Sequence, residues 1–429
     1  MIRLSGAGVR AAVETIAGGL PEPRVATLTE FKGPGPDGSF TEVIDRGLLL
    51  WFPAPFSYTG EDVAELQLHG GRATVAAAAD ALGRSGLRAA EPGEFTRRAF
   101  HNHKLDLTQA EAIADLTDAE TAAQRKQALR QLAGGFGEKV EGWRARLVAA
   151  MALVEATLDF SDEDLPDGVE ARARSELLLL RDDISAFLGE QGAGERLREG
   201  VRIAIIGPPN AGKSSLLNVL ARREAAIVSA IAGTTRDVIE VHLDLGGIPA
   251  VVADTAGLRE ATDLVEAEGV RRGTAWAREA DLRVLVAPAD DWSSVYRPEV
   301  RSMTTGVHPA LLVVGNKVDL APTPPFLDGR PVLPVSVTSG EGLDRLVAEV
   351  TVAAQELAGL SEAPALTRSR HREALQASIV SIDRSLTETE AELRAEQLRI
   401  ASQSLSRITG RIDVEDVLDA LFRTFCIGK

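Results

Sequence analysis

A single cysteine, Cys426, stands in 429 residues. That excludes an internal disulfide, and any zinc site would have to draw on His and carboxylate ligands, so the composition predicts a reducing, cytoplasmic setting. No run of about 18 uncharged apolar residues occurs, and the N-terminus lacks a basic, apolar and small-residue succession; neither a membrane span nor a secretory leader is expected. Basic charge is also short, with 47 Lys+Arg against 63 Asp+Glu and a formal balance of −16. A field of that sign repels nucleic acid, so RNA contact requires a local basic surface and a generic DNA coater is disfavoured. Lysine is scarcer still, at seven: Lys32, Lys104, Lys126, Lys139, Lys213, Lys317 and Lys429. Where it persists against an arginine habit, a compact ammonium on a flexible stem points to a specific need.

Apolar and charged residues, at 45% and 26%, are otherwise ordinary for a globular chain, and the length suggests about two to four domains. Residues 1–102 mix β-like runs (Val25 to Phe31, Gly47 to Phe52, Leu66 to His69) with turns such as GPGPDG at 33–38, and read as α+β. From 103 to 198 the pattern is helical: Trp143, Leu147, Met151, Val154 and Leu158 draw one apolar stripe, and the acidic SDEDLPDG at 161–168 predicts a loop. Between 199 and 361, the runs VRIAIIG, PAVVADT, LRVLVAP, ALLVVGNK and PVLPVSV alternate with helical stretches, as in a mostly parallel sheet covered on both faces. From 362 to 429 the helical pattern returns, with Leu375, Ile379, Ile382, Leu386 and Leu393 on one stripe. The expectation is a multidomain chain: an α+β N-terminal domain, an all-α helical domain, and an α/β P-loop domain inserted between the helical halves.

GPPNAGKS at 207–214 follows an apolar strand and opens a helix, the context a P-loop requires. Asn210, Ala211, Gly212, Lys213, Ser214 and Ser215 then wrap phosphates with backbone N–H groups, with Lys213 reaching the β and γ groups and the Ser214 hydroxyl ligating Mg²⁺. Downstream, DTAG (Asp254, Thr255, Ala256, Gly257) ends a strand and can hold the metal through water and sense the γ-phosphate. NKVD (Asn316, Lys317, Val318, Asp319) ends another. The Asp319 carboxylate accepts from guanine's N–H pair, which adenine lacks, so the site selects GTP. Ser336-Val337 stands where a Ser-Ala clasp is usual. Between these motifs, Ser229, Ala230, Ile231, Ala232, Gly233, Thr234 and Thr235 form a candidate switch loop in which Thr235 completes the Mg²⁺ shell.

Leu258 occupies the place where many GTPases carry a water-orienting glutamine. Without that group or a cis arginine, a monovalent cation is the economical source of positive charge on the β–γ bridge, with Asn210 a ligand and Glu266 a candidate to position the water.

IRLSG at 2–6, ELQLHGG at 65–71, AEPGEFTRRAF at 90–100, KLDLTQAEAIADL at 104–116, DTAGLRE at 254–260, RITG at 407–410 and the terminal FCIGK complete the pattern. Over nearly its whole length the chain resembles the bacterial MnmE (TrmE) family of tRNA-modification GTPases. The resemblance implies a dimeric, potassium-activated GTPase. It matches Asn210, Ser229, Ile231 and Thr234 to potassium positions, Ser214 and Thr235 to magnesium positions, and Glu266 to the catalytic glutamate. It also implies that the N-terminal domain binds 5-formyltetrahydrofolate through Arg3, Glu65, Lys104 and Lys429, and that Cys426 contributes to the modification chemistry. The partner it implies is the FAD-dependent MnmG, and the substrate is the wobble uridine of certain tRNAs, modified at C5 to an aminomethyl or carboxymethylaminomethyl group. A ribosome-assembly GTPase switch is the alternative; it explains the G domain but leaves the first domain and the terminal CIGK unused.

Overall fold

The computed structural model describes residues 1–159, 168–189, 192–223, 240–254, 275–304, 310–359, 365–412 and 415–425. They form two compact units, one of residues 1–114, 137–145 and 402–429, the other of 115–136 and 146–401.

The first unit is built on an antiparallel sheet of β1 (Ile2–Ser5), β2 (Thr27–Pro34), β3 (Phe40–Phe52) and β4 (Val63–Gln67), in spatial order β1-β4-β3-β2. Period-2 alternation puts Leu4, Phe31, Leu49, Trp51 and Leu66 in the core with Val9, Val13 and Ile16 of α1 (Val9–Ala17) and Ala81 and Leu82 of α2 (Arg72–Arg84). The observed strands depart from the sequence reading at their ends. β1 is additional; β3 begins at Phe40 because the turn closes early, with the Gly35 N–H donating to Ser39 O at 2.6 Å; and β4 stops at Gln67, leaving His69 in the following loop. Next come α3 (Glu94–His101) and α4 (Leu107–Asp118). A reciprocal cap starts α4: Asp106 Oδ1 accepts the Gln109 N–H at 2.8 Å, and Gln109 Oε1 accepts the Asp106 N–H at 2.9 Å. That gives the LDLTQ stretch a structural role.

The remaining elements are α5 (Ala122–Leu132), α6 (Gly135–Asp159), α7 (Val169–Gly189), α8 (Ala193–Glu199), β5 (Val201–Ile206), α9 (Lys213–Arg223), β6 (Glu240–Leu245), β7 (Ile248–Asp254), β8 (Leu282–Pro288), α10 (Pro298–Thr304), β9 (Ala310–Asn316), β10 (Phe326–Leu327), β11 (Arg330–Val335), α11 (Leu343–Ala358), α12 (Ser369–Thr387), α13 (Ala391–Thr409) and α14 (Glu415–Arg423). Strands β5 to β11 make one sheet of order β10-β11-β9-β8-β5-β7-β6, parallel from β11 to β7 and closed by antiparallel β6 and β10. β5 is central, with β7 on one side and β8 on the other, so its C-terminal end is the switch point where α/β sheets bind ligands. Short α8 fixes the entry to β5: Arg196 pairs with Asp281 at 2.7 Å, Arg198 with Asp115 at 2.9 Å, and Glu195 with Arg372 at 3.1 Å.

Trp143, Leu147 and Val154 of α6 are buried, as the stripe predicts. The second stripe fails in part. Leu375 and Ile382 are buried, but they share the inner face of α12 with Ser378, Ser381 and Ser385, whereas Leu393 lies on α13 and is 52% exposed. The chain leaves helical geometry at Glu388, which resets the register between the two helices. Among the described residues, no helix is long and apolar enough to cross a membrane.

Candidate functional site

The P-loop leaves β5 in a conformation that only particular residues permit. A Cβ on Gly207 (φ 146°) would lie 2.2 Å from the Val286 carbonyl oxygen, and one on Gly212 (φ 92°) would lie 2.3 Å from Asn316 Nδ2. Asn210 adopts φ 62°, a left-handed conformation that Asn tolerates. α9 begins at Lys213, so its first N–H groups are available to an anion. Lys213 is 5% exposed and curls over its own loop, donating to Gly207 O at 2.9 Å and Pro208 O at 2.7 Å. The Ser214 hydroxyl donates to Asp254 Oδ2 at the end of β7. These two oxygen donors side by side suit a hard cation such as Mg²⁺.

The NKVD segment is pinned to the same loop. Asn316 donates to Ala211 O at 2.8 Å and accepts from the Val337 N–H at 3.2 Å, tying P-loop, β9 and the loop after β11 together. Asp319 Oδ1 accepts the buried Ser336 hydroxyl at 2.5 Å, and Ser336 Oγ in turn accepts the Ser339 N–H at 3.1 Å. Ser336 therefore orients the carboxylate, and the Val337 side chain leaves its own backbone contact intact. Lys317 (φ 69°) pairs with Asp290 at 3.2 Å. The structure thus brings Asn210, Ala211, Gly212, Lys213, Ser214, Ser215, Asp254, Asn316, Lys317, Val318, Asp319 and Ser336 into one region. Ser229 to Thr235, Thr255 to Gly257 and Glu266 lie outside the described residues.

In the first unit, Arg3 and Glu65 are direct cross-strand partners on β1 and β4, with Nε donating to Oε1 at 2.9 Å. The Arg3 guanidinium sits 5.9 Å from the ring centroids of both Tyr58 and Phe95. Lys104 comes up beside the same loop: its Cε would be 3.1 Å from a Cβ on Gly60, and Asn102 Nδ2 donates to Thr59 O at 2.7 Å. A cavity of about 600 Å³ opens here, lined among others by Arg3, Ser5, Leu82, Leu87, Phe95 and Arg98. Its polar end was not legible in the sequence. Arg98 bonds Glu61 at 2.8 Å and Glu94 at 2.7 Å, and Arg88 grips Glu94 through both nitrogens. Burial pushes the Glu94 carboxyl up, but the hydrogen bonds from Arg88 and Arg98 outweigh it and hold the pKa at about 2. The Glu94 and Arg98 spacing of i and i+4 within PGEFTRRAF was the one available signal.

The chain's far end belongs to this unit too. Arg97 pairs with Asp419 and lies 5.3 Å from the Phe422 ring, and Gly93 (φ 68°) leaves only 2.6 Å between a would-be Cβ and Phe422. Leu418, Leu421, Phe422 and Phe425 join Leu107, Ala110 and Ala114 in one buried cluster. Cys426 and Lys429 lie beyond Phe425, outside the described residues.

A family description of the MnmE helical domain matches residues 107–426, and one of the GTP-binding protein TrmE N-terminus matches residues 1–104. The tRNA modification GTPase MnmE of Paramagnetospirillum magneticum is 55% identical over 431 residues, covering 100% of this chain and 96% of that protein. Its namesake in Rhodospirillum rubrum is 52% identical over 446 residues, again with 100% and 96% covered. The chain belongs to the MnmE family of tRNA modification GTPases. The multidomain layout of this MnmE-family chain, an α+β first domain and a helical domain with an inserted P-loop GTPase domain, agrees with the sequence reading.

Proposed function

We propose that this GTPase is potassium-activated and works with an FAD-dependent partner of the MnmG kind. Together they install an aminomethyl or carboxymethylaminomethyl group at C5 of the wobble uridine of certain tRNAs, with 5-formyltetrahydrofolate as the one-carbon source. The supporting observation is that one chain carries both a guanine-nucleotide cradle and, in a separate compact unit, an arginine–carboxylate pair beside a large cavity. In this reading Glu65 meets the donor edge of a pterin, while Arg3, Lys104 and Lys429 serve the anionic tail.

In the G domain, Ser214 and Thr235 hold Mg²⁺, and Asn210, Ser229, Ile231 and Thr234 hold K⁺, which supplies charge where Leu258 offers none. Glu266 positions the attacking water. Cys426 serves the modification chemistry. Residues 1–102 are assigned to folate binding and dimerisation, 103–198 and 362–429 to the helical domain, and 199–361 to the G domain of a cytoplasmic homodimer. GTP turnover in KCl against NaCl tests the reading: at least about tenfold faster hydrolysis in potassium is expected, and equal rates overturn the cation assignment.

A further inference from the structure

A formal balance of −16 means that any RNA contact has to use a local basic surface. α5 supplies one. Its sequence, AAQRKQALRQL, holds Arg125, Lys126 and Arg130 and no Asp or Glu. α9 also lacks acidic residues, but its cations are already committed: Lys213 is buried in the P-loop and Arg223 pairs with Asp344. The carboxylates that precede α5 are drawn elsewhere. Asp118 lines a small polar pocket with Asp115, Gln124, Gln127, Gln131 and Arg198, and Glu120 Oε2 lies 3.4 Å from His242 Nδ1. Among the described residues, no ion pair takes up Arg125 or Lys126.

The helical period separates the two sides of α5. Arg125, Lys126, Leu129 and Arg130 fall on one arc and are exposed, whereas Gln124, Gln127, Ala128 and Gln131 share the opposite arc, with Ala128 and Gln131 buried. The inner amides bolt the helix down. Gln124 Nε2 donates to Arg198 O at 3.0 Å, Gln127 Nε2 donates to Gly194 O at 3.1 Å, and Gln131 Oε1 accepts the Thr367 hydroxyl at 3.0 Å. Thr121 and Gln124 close a capping box at the first turn, and the Ala123 N–H donates to Gly247 O at 3.3 Å. The cations therefore stand on a helix tied along its length. Leu129, 48% exposed, is the one large apolar group among them, so this face lacks the cluster of aromatic or aliphatic anchors on which a protein interface depends. Phosphate oxygens ask only for charge and reach, which an arginine fork and a lysine ammonium both provide.

We propose that the exposed face of α5 binds the phosphate backbone of the tRNA substrate through Arg125, Lys126 and Arg130; this rests on the tRNA reading above. Contacts of this kind carry no base sequence. They position the RNA and make its affinity depend on salt.

The test measures binding of an unmodified tRNA transcript to the full chain with its FAD-dependent partner, from about 50 to 200 mM salt, and the affinity of the two proteins for each other in parallel. The double variant Arg125→Ala with Lys126→Ala is expected to weaken tRNA binding roughly tenfold at the lower salt and to make the slope of log affinity against log salt shallower by about two. GTP turnover without tRNA should stay within about twofold. Arg84→Ala removes an exposed charge on α2, where it pairs with Asp80, and should leave the slope unchanged. Wild-type affinity and slope in the double variant overturn the assignment, and so does an equal loss in Arg84→Ala, because that marks net charge alone. A double variant that keeps tRNA but loses the FAD-dependent partner makes the face a protein contact and also overturns it. A wild-type complex that binds no tRNA overturns the tRNA reading instead, which keeps the two failures apart.

Discussion

The nucleotide cradle and the arginine–carboxylate face are built by opposite means. The cradle is made of backbone: Gly207 and Gly212 have no room for a side chain, Lys213 and Asn316 are 5% and 3% exposed, and each polar group is tied to another part of the same loop system. The face in the first unit is made of side chains drawn from β1, the loop at Tyr58, β4 and α3, and the Arg3 and Glu65 side chains are 26% and 18% exposed. A cradle of backbone is intolerant of change at single atoms. A face of side chains loses function in smaller increments.

The largest expected effect lies in the cradle. Gly212→Ala forces a Cβ against Asn316 at φ 92°. Strain of about 1–3 kcal/mol plus the displaced Asn316 should cost roughly 100-fold in GTP affinity, read by nucleotide titration. Gly70, with nothing within 4 Å, is the control from the other unit, and Gly70→Ala should change GTP affinity by nothing measurable. Affinity retained in Gly212→Ala would break the comparison.

Asp319→Asn comes next. It should shift preference from GTP toward xanthosine triphosphate by roughly 30–100-fold, the cost of mispairing the base's hydrogen-bonding edge. Ser336→Ala removes the 2.5 Å bond that aims Asp319 and should weaken GTP by roughly fivefold without changing preference. Unchanged GTP binding in Asp319→Asn removes the guanine assignment.

In the first unit, Arg3→Ala removes the cross-strand partner of Glu65 and should weaken the folate binding proposed above by roughly tenfold, measured by calorimetry, with GTP turnover untouched.

The smallest effect is one of stability. The Glu94 pKa falls from 4.5 to about 2 on folding, so its contribution is fully present above pH 4.5 and is lost as pH falls toward 2. Glu94→Gln should therefore lower the melting temperature of wild-type protein at pH 6, and the gap should close near pH 2. A gap independent of pH would assign the effect to packing.

The same contrast decides what the sequence disclosed. The P-loop and NKVD were legible because backbone geometry dictates residue type at fixed spacing, as Gly207, Gly212 and Asn316 show. The sheet alternation after Val201 was legible for the same reason, except for antiparallel β6 and β10, whose registers depend on neighbouring strands rather than on local pattern. The Arg88–Glu94 and Arg98–Glu61 pairs, the seating of Phe422 on Gly93 and the Asp45–His69 pair join segments that no periodicity links. The serines beside Leu375 and Ile382 on the inner face of α12 were not foreseen from the apolar stripe, because buried hydroxyls can bond within their own helix, as Ser385 does to Ile382 O at 2.7 Å.

The central claim is that this guanine-nucleotide machine serves wobble-uridine chemistry. Nucleoside analysis of tRNA from cells lacking the protein tests it most directly: aminomethyl- and carboxymethylaminomethyl-type uridines should vanish and return with the wild-type chain but not with Gly212→Ala. An unaltered set of wobble uridines in the depleted cells would contradict the account.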